Sequence, residues 1–202
     1  KKYLVQALCY GKKISWLMPS IGEHWVHNSL SILGLAVYFK IDFTKVLAAL
    51  SSFEVPKGRG NIINLRYKDR GFILIDDSYN SNPASLIASL KSFSKLKVIG
   101  KKFLVLGDML ELGKESKDIH KELGKKIEKL QFNVLYTVGK NMFEMSKVLI
   151  NIKYKYHEDD FDHIAENILK TIESGDAILL KASNAINLKE IIKKIINDCE
   201  KL

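Results

Sequence analysis

Two aspartates and a run of small polar and amide residues, Asp76-Asp77-Ser78-Tyr79-Asn80-Ser81-Asn82, directly follow the apolar stretch Phe72–Ile75. Two other apolar stretches run into comparable groups. One ends in Gly107-Asp108-Met109-Leu110-Glu111-Leu112-Gly113, the other in Lys181-Ala182-Ser183-Asn184. A carboxylate at the carboxyl end of a strand can accept hydrogen bonds from ribose hydroxyls. A lysine there can face a phosphate or a carboxylate. The same residue types also close turns and cap helices, which Asp, Asn and Gly do in any fold. Composition leaves both readings open.

The elements that would position these residues follow from the pattern. Phe72–Ile75 is strand-like, and Asn82-Pro83 opens a helix with Asn as its cap and Pro at its first position. Leu86, Leu90 and Phe93 then recur at helical spacing as a buried face. Upstream, Asn61–Arg66 and Phe72–Ile75 flank Tyr67–Gly71 as a hairpin. Downstream the spacing predicts strands at Lys102–Leu106, Asn133–Val138, Lys153–His157 and Ala177–Lys181, with helices near 116–130, 141–150, 160–173 and 187–200. Strands and helices alternating at these lengths build a doubly wound, mostly parallel α/β sheet covered on both faces.

The front of the chain reads differently. Residues 1–20 suggest two short strands around Tyr10-Gly11-Lys12-Lys13. A helix is expected within Gly22–Phe39, with Leu30, Leu33, Val37 and Ala36 as its buried stripe. His24, His27 and Asn28 stand at its amino end. The two histidines are three residues apart, but no third ligand of fitting spacing accompanies them. A second helix spans about 42–52, and Glu54–Gly60 is the strongest linker. The chain starts abruptly, which suggests a piece cut from something longer.

The chain carries 32 Lys and Arg against 23 Asp and Glu, a formal charge of +9, and 47% apolar residues. The lysines are dispersed over helices that also carry Glu, whereas nucleic-acid binders cluster basic residues among aromatics. A nucleic-acid partner is therefore not expected. Nor is a membrane span, since no apolar run reaches the ~18 residues required. Cys9 and Cys199 form no disulfide framework or zinc pattern. No G-x-x-x-x-G-K-[ST] loop occurs, so a nucleotide's β and γ phosphates have no such cradle in these residues. A phospho-acceptor receiver domain would also place acids after one strand and a lysine after the last. It needs an aspartate at its middle strand, and the third strand here ends in Val138-Gly139-Lys140.

Taken in order, the motifs resemble the second half of a Mur ligase. Asp76–Pro83 is similar to that family's D-D-x-Y-N-A-N-P, with Ser81 in place of Ala. Val105–Gly113 with His120 is similar to V-L-G-D-M-x-E-L-G…H. Gly22–Asn28 is similar to G-x-H-N-x-x-N, with Trp25 in place of its first Asn, and Gly58-Arg59 follows. The nearest branch adds D-alanyl-D-alanine to UDP-MurNAc-tripeptide. The resemblance implies a bacterial cytoplasmic enzyme of peptidoglycan synthesis, a monomer, using ATP and Mg2+. In such enzymes ATP phosphorylates the peptide carboxylate, and the amine of D-Ala-D-Ala attacks the acyl phosphate. Another Mur-type amino acid ligase, or a non-catalytic nucleotide- or peptide-binding module on the same fold, is the alternative.

Carried over residue by residue, the resemblance assigns Asn28 to the adenine, Arg59 to the ATP phosphates and Asp77 to the ribose. Tyr79, Asn80 and Asn82 line the same nucleotide-facing loop. Lys181 and Ser183, matching K-G-S-R, and Asp108 fall to the substrate side, with Ala182 and Asn184 as departures from that pattern. Residues 1–59 would be the end of the ATP-binding domain and 60–202 the C-terminal domain. The phosphate loop and the metal ligands would then lie outside this chain, which by itself would be inactive.

Overall fold

The computed structural model describes residues 3–9, 11–18 and 23–202. Tyr10, Gly22 and the side chain of His24, each singled out above, lie outside the described residues. The chain forms two compact units, Lys1–Pro56 and Lys57–Leu202.

In the first unit, β1 (Tyr3–Cys9) and β2 (Lys12–Met18) make an antiparallel pair with Val5 opposite Trp16 and Ala7 opposite Ile14. Helices α1 (Glu23–Tyr38) and α2 (Phe43–Ser52) follow. Asp42 caps α2, accepting the N–H of Thr44 at 2.9 Å. The core consists of Trp16 and Met18 from β2, Leu33 from α1 and Leu50 from α2. The buried stripe of α1 differs from the expected one. Ser29, Leu33 and Ala36 are buried, whereas Leu30 is 40% exposed. α1 is apolar on several sides, with Ile32 and Leu35 also exposed. Its hydrophobic pattern therefore does not select one face, and packing does.

The second unit begins with the hairpin β3 (Asn61–Tyr67) and β4 (Arg70–Asp76), turned by Lys68 in the left-handed region at φ 54°. The chain continues through α3 (Pro83–Lys95), β5 (Lys102–Gly107), α4 (Ser116–Ile127), β6 (Val134–Val138) and α5 (Lys140–Ser146). It ends with β7 (Tyr154–His157), α6 (Phe161–Thr171), β8 (Ala177–Lys181), α7 (Lys189–Asn197) and β9 (Glu200–Lys201). The seven-stranded sheet has the order β7-β6-β5-β8-β4-β3-β9. β4, β8, β5, β6 and β7 are parallel, and at one edge β3 runs antiparallel to both of its neighbours, β4 and β9.

Strand alternation divides the core into two layers. Phe103 and Val105 of β5 join Ile178 and Leu180 of β8, Ile164 and Ile168 of α6, and Ile191 and Ile195 of α7. Leu104 and Leu106 join Leu179 with Leu86 and Leu90 of α3, Leu123 of α4, and Met142 and Met145 of α5. All five residues of β6 and of β8 are buried, as strands covered on both faces require.

Two expected boundaries shift. α5 stops at Ser146, and Glu128 accepts the N–H groups of Ile150 and Asn151 where the helix had been expected to continue. The last helix gives way to β9, whose Glu200 and Lys201 pair with Arg66 and Leu65 of β3. The chain leaves β5 for β6 and β7 and returns to lay β8 between β5 and β4. The carboxyl ends of β4, β8 and β5 are thereby neighbours at the point where strand order reverses, where open α/β sheets bind ligands.

Candidate active site

The register between β4 and β8 places Asp76 beside Leu180, and the N–H of Asp77 donates to the Leu180 carbonyl at 3.0 Å. One step further, Asp77 and Lys181 are lateral neighbours, and such neighbours project to the same face. Lys181 Nζ lies 2.9 Å from Asp77 Oδ2 in an ion pair whose side chains are 3% and 19% exposed, respectively. The ammonium also donates to the carbonyl of Asn80 at 3.0 Å. A buried ion pair of this kind persists only where its geometry is good and further hydrogen bonds support it. Asp76 turns elsewhere. Its Oδ1 accepts the N–H of Ser78 at 3.1 Å and the Ser78 hydroxyl at 2.6 Å.

The segment ahead of β3 is joined to the same loop. The N–H of Tyr79 donates to the Gly58 carbonyl at 2.9 Å, and that of Gly60 donates to the Asp76 backbone carbonyl at 2.8 Å. Gly58 has φ 79°, and a Cβ on it would meet Tyr79 Cβ at 3.0 Å, so both the backbone angle and the approach demand glycine. The Arg59 guanidinium consequently stacks 4.2 Å from the centre of the Tyr79 ring, a cation–π contact on a side chain that is 43% exposed.

Ser183 ties three strand-end loops together. Its hydroxyl donates to the Ser81 carbonyl at 3.3 Å and accepts the N–H of Leu110 at 2.8 Å. Its own N–H donates to the Asp108 carbonyl at 3.1 Å. The loop after β5 is held from its other side by fully buried His120, whose Nε2 accepts the N–H of Met109 at 3.1 Å. With Nε2 accepting, the proton is on Nδ1, which donates to the Ser116 carbonyl at 2.6 Å.

Arg59, Asp77, Tyr79, Asn80, Lys181 and Ser183 thus form one connected group. Asp108 joins it through its backbone, while its carboxylate accepts the N–H groups of Asn141 and Met142 at the start of α5. Asn82 caps α3 in a reciprocal box with Ser85, its Oδ1 accepting the Ser85 N–H at 2.8 Å. Asn28 is exposed on α1 of the first unit. Lys189 was not foreseen. Its Nζ is 2.8 Å from Asn184 Oδ1 and 5.6 Å from the Tyr79 ring centre. In sequence it looked like any lysine at the start of a helix.

Residues 58–184 match the family described as Mur ligase, glutamate ligase domain. The chain belongs to the Mur ligase family. Over 196 residues this Mur ligase chain is 33% identical to the UDP-N-acetylmuramoyl-tripeptide–D-alanyl-D-alanine ligase of Bacillus subtilis, covering 92% of this chain and 41% of the relative. A ligase of the same name from Buchnera aphidicola is 32% identical over 187 residues, covering 91% and 39% of the two chains. The chain therefore spans about two fifths of the length of these relatives. Among solved structures, the MurF ligase of Thermotoga maritima in complex with ADP superposes with a TM-score of 0.79 at 22% identity, covering 98% of this chain and 44% of that one. MurF from Acinetobacter baumannii gives 0.80 at 22% identity, covering 97% and 42%. These likenesses show the fold, a mixed α/β sheet flanked by helices.

The chemistry of this Mur ligase group suits a nucleotide. Asp77 offers a carboxylate for hydroxyl donors, and Arg59 offers a fixed guanidinium beside a half-exposed aromatic ring. Magnesium is another matter. Among the described residues no group of three or more His, Cys, Asp or Glu could hold a metal ion.

Proposed function

We propose that this chain is part of an ATP-dependent ligase that joins D-alanyl-D-alanine to UDP-MurNAc-tripeptide through an acyl phosphate. The observation that carries this reading is the group at the carboxyl ends of β4 and β8, where Asp77, locked to Lys181, adjoins Arg59 stacked on Tyr79. It is supported by the relatives of that name, which match nine tenths of the chain. In this proposal Asp77 accepts the ribose hydroxyls and Arg59 faces the phosphates. Tyr79, Asn80 and Asn82 shape the nucleotide loop. The loops of Asp108 and Ser183 face the incoming amine. Their mutual bonding holds the acceptor side rigid relative to the nucleotide side, the positioning that a two-substrate transfer requires. ATP enters with Mg2+, and the enzyme works as a cytoplasmic monomer. Among the described residues no helix is long and apolar enough to cross a membrane.

The test is made on the full-length ligase carrying these residues, supplied with ATP, Mg2+, UDP-MurNAc-tripeptide and D-Ala-D-Ala. The expected result is release of ADP and phosphate together with a pentapeptide product of the corresponding mass. A product formed with a single amino acid but not with the dipeptide would assign a different ligase. Nucleotide binding with no turnover under any acceptor would make this a binding module.

A further inference from the structure

We infer that Lys181 is a positioning residue for Asp77, fixing the carboxylate that receives the ribose rather than meeting a substrate itself. The inference rests on the reading of Asp77 given above. Its geometric basis is independent of that reading. Lys181 leaves the end of a fully buried strand, and its side chain is 3% exposed. An ammonium so enclosed cannot present itself to a dissolved peptide or amine. Both of its acceptors belong to one loop, Oδ2 of Asp77 at 2.9 Å and the carbonyl of Asn80 at 3.0 Å. Two bonds from one rigid point to residues three apart fix the rotation of the loop as well as its distance. Neighbouring bonds complete the hold. The Asp77 N–H is tied to Leu180, and Ser183, two residues beyond Lys181, is tied to the Ser81 carbonyl. The end of β8 therefore grips residues 77, 80 and 81 in turn.

The consequence is a division of labour within one carboxylate. Oδ2 is committed to Lys181, so Oδ1 is the oxygen for a ribose hydroxyl, and its direction is set by the ion pair. A carboxylate free to rotate would bind the hydroxyls in only a fraction of its orientations, and pre-organisation removes that loss. The arrangement was not readable in sequence, because Asp77 and Lys181 are 104 positions apart and meet only through the parallel register of β4 and β8.

The test is the preference of the full-length ligase for ATP over 2′,3′-dideoxyATP, read as the ratio of kcat/KM values. Lys181→Met keeps an unbranched side chain one atom shorter and removes the charge. We expect it to lower that preference by about tenfold, the scale of one charge-assisted hydrogen bond. The KM for D-Ala-D-Ala should stay within about twofold, well short of the loss of any direct contact with the dipeptide. Asp77→Asn, which keeps an acceptor oxygen but loses the charge, is expected to lower the preference at least as far, and the double variant to be no worse than Asp77→Asn alone. A general loss of structure would lower turnover of both nucleotides together and leave their ratio unchanged, which overturns the inference. So does a raised KM for the dipeptide with the nucleotide ratio intact. If Asp77→Asn itself kept the full preference, the ribose assignment would fall instead, and the two failures are thereby distinguished. Should Lys181→Met fail to fold, the ratio is read on Lys181→Gln, which removes the charge and keeps most of the volume. An unchanged ratio there also overturns the inference.

Discussion

The N–H of Met142 donates to Oδ1 of Asp108 at 2.6 Å, joining the end of β5 to the first turn of α5. Oδ2 of the same carboxylate accepts from Asn141 through both its N–H and its side-chain amide. Gly139 makes the approach possible, at φ 91° and with room for no Cβ, which would lie 2.6 Å from the Asp108 carboxyl carbon. Asp108→Ala should therefore cost about 2 kcal/mol of stability, the scale for losing charge-assisted bonds at a buried cap. Gly139→Ala should cost at least as much, through backbone strain and collision together. Urea midpoints of the two variants check this. Unchanged midpoints would show that the carboxylate is not structural.

His120 should behave as a brace for the loop after β5. Replacing it with Phe keeps the volume but leaves the Met109 N–H and the Ser116 carbonyl without their side-chain partner. An orphaned buried donor costs about 1–3 kcal/mol. Hydrogen exchange at the Met109 amide is the specific readout. Its protection should fall in His120→Phe more than that of amides in β6, and equal changes everywhere would refute the local role.

Among the described residues the buried hydroxyl of Ser81 has no hydrogen-bond partner. Ser81→Ala should then leave stability unchanged or raise it by up to about 1 kcal/mol, because an unsatisfied polar atom is removed. Thermal denaturation is sufficient to check this, and a clear loss of stability would mean that the hydroxyl has a partner after all.

These sites also show what the sequence reveals and what it does not. The alternation of strands and helices, the Asn82-Pro83 helix start and the buried face of α3 were legible because local periodicity and capping chemistry decide them. β9 was not, since two residues pairing with β3 at the sheet edge carry no pattern of their own. The buried face of α1 was misread at Leu30 because a helix apolar on several sides can be turned either way by its neighbours. In the site, residue types and strand ends were legible. The partners were not, because Lys181 finds Asp77, and Ser183 finds Leu110, only through adjacency of strands distant in sequence.

Glu144 should make stability depend on acid. Lys147 hydrogen-bonds its carboxylate at 2.8 Å, and Lys117 and Lys121 lie at 3.4 and 3.5 Å. The hydrogen bond from Lys147, followed by the one from Lys117, lowers its pKa from 4.5 to about 2. A carboxyl depressed in the folded state contributes stability that is fully present above its unfolded value and is lost as pH falls through the folded value. Denaturant midpoints should thus decline between about pH 4.5 and pH 2, and Glu144→Gln should flatten that decline. The difference should shrink in high salt, which screens pairs near the surface. Parallel curves for the two proteins would remove Glu144 as the cause.

Adjacent aspartates with opposite duties give the sharpest test of the site. Asp76 closes β4 with its carboxylate buried and spent on the N–H and hydroxyl of Ser78. Asp77, one residue on, projects the other way and pairs with Lys181. The two carboxyl groups are chemically identical, so only their surroundings can separate their effects. Asp76→Ala orphans a backbone donor within the structure and should lower the urea midpoint while leaving the KM for ATP near that of the parent. Asp77→Ala removes the proposed ribose acceptor and should raise that KM by roughly ten- to a hundredfold, the equivalent of ~1.5–3 kcal/mol for a charge-assisted contact. It also leaves the Lys181 ammonium buried without its counter-ion, so some stability is lost as well. The kinetics must for that reason be measured at a temperature where both variants are fully folded. The reverse pattern, with ATP binding weakened by Asp76→Ala and untouched by Asp77→Ala, would move the nucleotide to the opposite face of β4 and dismantle the site as assigned.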